Sequence, residues 1–224
     1  MKICNAIYAI IGMFVLLSCQ KQGDSSTPSL QNGTITDVEG NIYKTVKIGT
    51  QTWMAENLKT TKYSDGGTIP LSQGSNISTP AYCWYNNDAA KYKNKYGALY
   101  NWFAVNSGKL CPSGWHVPTA AEWTTLVTFV GGENVAGGKL KENIPYSWTS
   151  SSVTSTNEYG FSALPGGSFF GGDFMYELSY GFWWSSTAID SQSSSLFEML
   201  YDKSQLQMRS SDLAVEMSVR CMKN

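Results

Sequence analysis

Polar and apolar residues alternate through Tyr43, Val46 and Ile48 in "TDVEGNIYKTVKIGTQTWMAENLK", and the alternation breaks at Gly49. A period of two broken by a glycine predicts a β-hairpin. Turn-forming residues fill Tyr63 to Pro80 and predict a loop leading into the aromatic segment "AYCWYNND". From Tyr96, Leu99, Trp102 and Phe103 fall at helical intervals that stop at Gly108, which predicts a short helix. A second helix is predicted after Pro118: Thr119 and Glu122 form a T-x-x-E capping box, and Trp123, Leu126, Val127 and Val130 share a face. Gly131 and Gly132 end it. Beyond Gly160 come strand-like runs, "FSALPGG", "FWWSST", "LFEMLY", "LQMRSS" and "AVEMSVRCM", with a turn at Asp202-Lys203-Ser204. Two short helices followed by strands predict an α+β domain. There is no internal repeat and no second domain in this pattern.

The chain starts differently. Lys2 precedes the apolar run Ala6 to Leu17, which is too short to span a bilayer as a mature helix and has the form of a signal-peptide core. "LLSC", Leu16 to Cys19, resembles a bacterial lipobox, in which the cysteine is lipidated and becomes the mature N-terminus. Residues 1–18 are therefore expected to be a lipoprotein signal peptide. Residues 19–33, anchored through Cys19, have the polar, Gly- and Ser-containing composition of a tether. The folded domain is expected over residues 34–224. This predicts a protein attached to a membrane through its N-terminal lipid, in the bacterial cell envelope at the outer membrane, on either its outward or its periplasmic face.

Composition narrows the partners. Lys plus Arg number 16 against 17 Asp plus Glu, so no basic field exists to hold a phosphate backbone, and nucleic acid is not an expected partner. Of five cysteines, Cys4 would leave with the signal and Cys19 would carry lipid. Cys83, Cys111 and Cys221 remain, enough for one disulfide and one spare thiol in an oxidising compartment.

The segments "DVEGNIYKTVKIGTQTWMAENLK", "AYCWYNND", "YGALYNW", "LCPSGWHVPTAAEW", "GFSALPGG", "FWWSST" and "SVRCMKN" together resemble the Fibrobacter succinogenes major paralogous domain, over roughly residues 34 to 224. More distantly, "VPTAAEW", "LPGGSF" and the terminal "VRC" resemble the formylglycine-generating enzymes. The resemblance implies their variant of the C-type-lectin-like fold, with two helices on an irregular antiparallel sheet. In such folds a cysteine near the helices commonly bridges to one in the last strand, which implies a Cys111–Cys221 disulfide. Closing a loop of that length is worth about 4 to 5 kcal/mol at most in the chain-entropy account. The cysteine pair with which formylglycine-generating enzymes work has no counterpart in "YGFWWSSTAIDSQSSSLFEML", so their activity does not carry over.

No other chemistry is legible. His116 is the only histidine, which leaves no multi-histidine metal site and no spare base, and it reads as a hydrogen-bonded loop residue. The sugar-binding tripeptides of calcium-dependent lectins are missing, "NND" at Asn86, Asn87 and Asp88 reads as a turn, and the Gly pairs of "LPGGSFFGGDF" lack the lysine of a phosphate loop. No catalytic residue, metal or cofactor is assigned. In "DFMYELSYGFWW", aromatic residues recur at even spacing, which reads first as a half-buried strand. Its functional reading makes Tyr176, Tyr180 and Trp183 the ligand contacts. The expected role is a non-enzymatic, lipid-anchored binding or adhesion module presenting loops to a glycan or protein ligand. One alternative is an enzyme on the formylglycine-generating-like scaffold, which clustering of Glu158, Asp173, Glu177 or Asp190 in one cleft would favour. The other is a structural subunit of an envelope complex.

Overall fold

A computed structural model describes residues 32–74, 78–150 and 153–224. The signal segment, Cys19 and most of the tether lie outside the described residues. Strand β1 (Asn32–Thr36) takes up Asn32 and Gly33, the last two residues expected in the tether. It pairs antiparallel with β2 (Ile42–Ile48). The connection is organised by one carboxylate: Asp37 accepts hydrogen bonds from the amides of Glu39 and Asn41, each at 2.9 Å, and from the Tyr43 hydroxyl at 2.6 Å. The predicted hairpin then follows, with β2 turning at Gly49 (φ 61°) into β3 (Gln51–Met54). Any side chain at Gly49 would run into the Phe129 ring, 2.9 Å from where a Cβ would sit.

The middle of the chain departs from the periodicity. Helix α1 (Ala89–Tyr96), capped by the Asp88 carboxylate on the Lys91 amide, ends where a helix was expected to begin. Gly97 stops it at φ 78°, where a Cβ would lie 2.6 Å from the Leu58 carbonyl. Leu99 and Tyr100 are strand β5 (Leu99–Tyr100), paired with β4 (Tyr82–Cys83), and the rest is the single turn α2 (Trp102–Val105), capped by Asn101. The three-residue interval from Leu99 to Trp102 thus joins a strand to a turn, both buried.

In the segment "LCPSGWHVPTAAEW", Gly114 (φ 79°) forms a tight turn, closed by the Trp115 amide on the Pro112 carbonyl. Strand β6 (Trp115–His116) and helix α3 (Ala120–Phe129) follow, with both halves of the Thr119–Glu122 capping box formed. The glycine pair that ends α3 also opens α4 (Glu133–Leu140), which the sequence reading did not anticipate. Its glycines serve packing: a Cβ on Gly137 would sit 2.3 Å from the Gln205 carbonyl, so only a bare backbone fits. Four α-helices are present among the described residues where two were expected.

Two larger sheets carry the rest. The C-terminal β12 (Met222–Lys223) inserts between β3 and β6, giving the order β1-β2-β3-β12-β6. The second sheet is β11-β10-β9, from β9 (Tyr180–Ala188), β10 (Ser193–Leu200) and β11 (Gln207–Asp212). Between them, β7 (Ser168–Phe170) and β8 (Asp173–Met175) form a hairpin whose turn residues Gly171 and Gly172 both have positive φ, as a tight two-residue turn requires. Every pairing of named strands is antiparallel. The fold is mixed helix and antiparallel sheet, as expected in outline.

The two sheets meet over aromatic side chains. Trp53 lies 4.8 Å from Trp123 between ring centroids, and Trp123 stacks on Phe197 at 5.0 Å. Cys111 and Cys221 are disulfide-bonded, as implied by the resemblance, and Cys83 is free and buried. The deepest polar feature is Asn57. Its Oδ1 accepts from Trp183 Nε1 at 2.9 Å and from Arg220 Nε and Nη2 at 3.2 and 3.0 Å; its amide donates to the Tyr96 carbonyl and to Ser218 Oγ. Arg220 is fully buried, donates also to the Phe161 and Ser162 carbonyls, and stacks over the Phe161 ring. Asn57→Ala leaves that guanidinium and the Trp183 indole short of an acceptor. It is expected to destabilise the chain by about 3 to 5 kcal/mol, read from urea unfolding of wild type and variant side by side.

Candidate functional site

Between β8 and β9 the chain makes a tight reversal in which Tyr176 (φ 66°) and Leu178 (φ 58°) both hold left-handed backbone, a conformation that disfavours side chains of their size. The reversal is pinned from several sides. The Ser179 and Tyr180 amides donate to the Tyr176 carbonyl, the Thr149 amide donates to the Leu178 carbonyl, and the Tyr201 amide donates to the Ser179 carbonyl. Glu177 accepts from the Tyr92 hydroxyl of α1 at 2.5 Å, with Lys91 3.6 Å away. The consequence is a presented aromatic cluster. The Tyr176 ring lies 4.6 Å from Tyr180 and 5.7 Å from Phe182, and Tyr180 stacks on Phe182. Tyr176 keeps 47% of its surface exposed.

Tyr176 and Phe182 line a groove of about 300 Å³. Glu198 of β10, the direct cross-strand neighbour of Phe182, lines it too, with Arg209 of β11, which donates from Nε to Glu198 Oε1 and from Nη2 to Gln207 Oε1, both at 2.6 Å. Ser210 and Ser211 continue that polar edge, and Met175, Leu196 and Met217 add apolar lining. An aromatic ring face beside a few fixed polar groups can bind a flat, partly apolar ligand surface and orient it. Glu198 had a sequence signal that went unread: it is the lone charge in "LFEML", at a position whose alternate neighbours Leu196 and Leu200 are apolar. Arg209 had none, since exposed arginines on edge strands are common.

Three expected contacts fare differently. Tyr176 and Tyr180 come together, Tyr176 on the groove itself. Trp183 is a correction: it points to the other face of β9, is fully buried, and spends its indole N–H on Asn57. Adjacent strand residues alternate faces, so Phe182 takes the groove side that Trp183 cannot. Three of the four carboxylates whose clustering would favour an enzyme are engaged apart: Glu158 pairs with Lys139 at 3.2 Å, Glu177 with α1, and Asp190 with the amides of Gln192 and Ser193, while Asp173 is an exposed residue of β8. Asn86, Asn87 and Asp88 form a turn into α1. Among the described residues, no group of three or more His, Cys, Asp or Glu is placed to share a metal ion. His116 ties the C-terminal residue to the start of α3, with Nδ1 2.7 Å from Asn224 Oδ1 and Nε2 3.1 Å from the Glu122 carboxylate.

Two buried titratable groups lie away from the groove's open face. Lys141 donates to the carbonyls of Leu200 and Lys203, and burial lowers its pKa to about 8. Glu216, 1% exposed, faces Cys83 and Ser72; burial lifts its carboxyl to about 7, against the pull of those two hydrogen bonds, and pushes the Cys83 thiol up as well. A carboxyl raised in the folded state contributes stability that is fully present below its ordinary pKa of 4.5 and is lost as pH rises through about 7. Glu216→Gln removes that dependence. Relative to wild type the variant should gain stability between pH 5 and pH 8, by up to roughly 3 kcal/mol, in urea titrations at the two pH values.

A family model described as Fibrobacter succinogenes major domain matches residues 46–223, which is 178 of the chain's 224 residues. No curated protein and no solved structure matches the chain. The matched span runs from β2 to β12 and includes the aromatic groove, both disulfide cysteines and the Asn57–Arg220 pair, so this chain belongs to the Fibrobacter succinogenes major domain family.

Proposed function

We propose that this protein is a non-enzymatic binding module, lipid-anchored at Cys19 in the bacterial cell envelope, that takes its ligand in the groove walled by Tyr176 and Phe182. The observation that carries the reading is the reversal at Tyr176. Left-handed backbone at a large residue costs on the order of 1 to 2 kcal/mol, and here it presents an aromatic ring beside a groove rather than burying it. The groove's wall of Arg209, Glu198 and two serines is polar and charge-balanced, which suits a glycan lying with its apolar face on Tyr176. A C-type-lectin-like architecture is part of the proposal. The return of β12 beside β3, and a disulfide from the segment before α3 to the residue before β12, both support it.

The ligand is sought by screening a glycan array, with protein partners sought in parallel. For the ligand found, Tyr176→Ala should weaken binding by about 1 to 3 kcal/mol with little loss of thermal stability, because so much of the ring is already in solvent. Tyr180→Ala should cost both affinity and stability, since Tyr180 also packs on the core. Unchanged affinity in the Tyr176 variant would remove the groove from consideration.

The anchor has its own test. Among the described residues no helix is long and apolar enough to cross a membrane. With the proposed lipid carried on the Cys19 thiol, Cys19→Ala should abolish incorporation of a fatty-acid analogue and release the protein from membranes, and labelling that persists in that variant would refute lipidation at Cys19.

A further inference from the structure

The two most exposed large apolar side chains among the described residues, Tyr146 at 90% and Ile144 at 62%, sit in the same four-residue turn. The Ser147 amide closes it on the Ile144 carbonyl at 3.2 Å. Pro145 holds the second position, and Tyr146 at the third has φ 65°. That is the type II pattern, in which the third position is ordinarily glycine or asparagine because a side chain there is strained. The base of the turn is fixed: Ser147 is buried, and Trp148 donates its indole N–H to the Ala163 carbonyl while Lys141 lies over its ring. A rigid base thus projects a tyrosine and an isoleucine into solvent.

The position of the turn says what they meet. Ile144, Pro145 and Ser147 line a surface cavity of about 490 Å³, and Asn32, the residue at which the chain enters the fold, lines it too. Asn32 follows Cys19 by 13 residues, which reach at most about 45 Å when fully extended. A domain of this size has a radius of gyration of about 16 Å, so its diameter is comparable to that reach. An anchor at Cys19 would keep Asn32 within that reach of the bilayer, so the face by which the chain enters is held close while the opposite face can lie a further diameter away. Lys44 and Lys95 on the same cavity wall offer donors to lipid phosphates, while Glu56 and Glu142 offer acceptors to headgroup ammonium. Tethering raises the local lipid concentration, so two side chains suffice where a free protein would need a whole amphipathic helix.

We propose that the Ile144–Ser147 turn is a membrane-facing tip that rests in the headgroup region of the anchoring bilayer. The proposal rests on the lipid anchor put forward above and leaves the Tyr176 groove to a separate ligand.

The test uses the full-length lipoprotein reconstituted in vesicles of phosphatidylethanolamine and phosphatidylglycerol carrying a trace of diazirine-bearing phosphatidylethanolamine. Photocrosslinks are mapped by peptide mass spectrometry, with the mass of the N-terminal peptide reporting lipid on Cys19. Crosslinks should concentrate on the peptide holding Ile144 and Tyr146, with peptides around Ile189 and Met208 as exposed apolar controls. The double variant Ile144→Ser, Tyr146→Ser should keep its melting temperature and lose crosslinking at the turn about tenfold, the factor that corresponds to about 1.4 kcal/mol. Lipidated Cys19 with crosslinks on the N-terminal peptide alone, or spread evenly over the controls, overturns the membrane-facing tip and leaves the anchor standing. An unmodified Cys19 in a chain that does not float with the vesicles overturns both.

Discussion

One buried hydrogen-bond hub organises this molecule. Asn57 lies just past β3, yet it receives Trp183 from β9 and Arg220 from the C-terminal segment, and gives its amide protons to the end of α1 and to Ser218. Three segments distant from Asn57 in sequence, around Tyr96, Trp183 and Ser218–Arg220, thus meet at one side chain. Among the described residues Arg220 has no direct carboxylate partner; its positive charge is held in the core by the Asn57 oxygen, two backbone carbonyls and an aromatic face. Burial lowers its pKa to about 9. Such a charge is tolerated because each of its three nitrogens finds an acceptor, so the hub fixes the relative positions of its contributors more strictly than apolar packing would.

The disulfide acts beside it. Cys221 follows Arg220 directly, so the covalent link to Cys111 and the guanidinium both hold the same C-terminal segment, one to the region before α3 and the other to the loop at Phe161. With that segment held, β12 can sit between β3 and β6 inside the five-stranded sheet although it is only two residues long. Short strands and long connections make this architecture economical in regular structure and dependent on specific side chains. Asp37 in the first hairpin connection and Glu122 at the α3 cap do locally what Asn57 does for the whole.

The surfaces follow from this rigidity. Because Trp183 is committed to the hub, Phe182 on the opposite face of β9 joins Tyr176 and Tyr180 in the groove. Only the Phe182 end of that face reaches the groove, since Trp184 on the same face is as fully buried as Trp183 on the other. The Ile144–Ser147 turn is likewise held by what lies behind it, Trp148 and Lys141, and belongs to a different part of the surface, where the chain enters the fold.

The sequence by itself determined the elements whose signals are local. The β2–β3 hairpin needed only its alternation and Gly49, and α3 only its capping box and apolar face, since each is stabilised by residues within a few positions. The family resemblance was likewise carried by contiguous motifs, and it implied the Cys111–Cys221 pairing. Tertiary structure decided the rest. Leu99 became a strand because Gly97 had to meet the Leu58 carbonyl and β4 lay ready to pair; α4 formed because its glycines fit against the Gln205 backbone; Trp183 left the groove for the core because Asn57, 126 residues away, holds its indole. None of these partners is near in sequence. Where a residue's best hydrogen bond or closest contact comes from a distant segment, periodicity describes the residue correctly and still misplaces it.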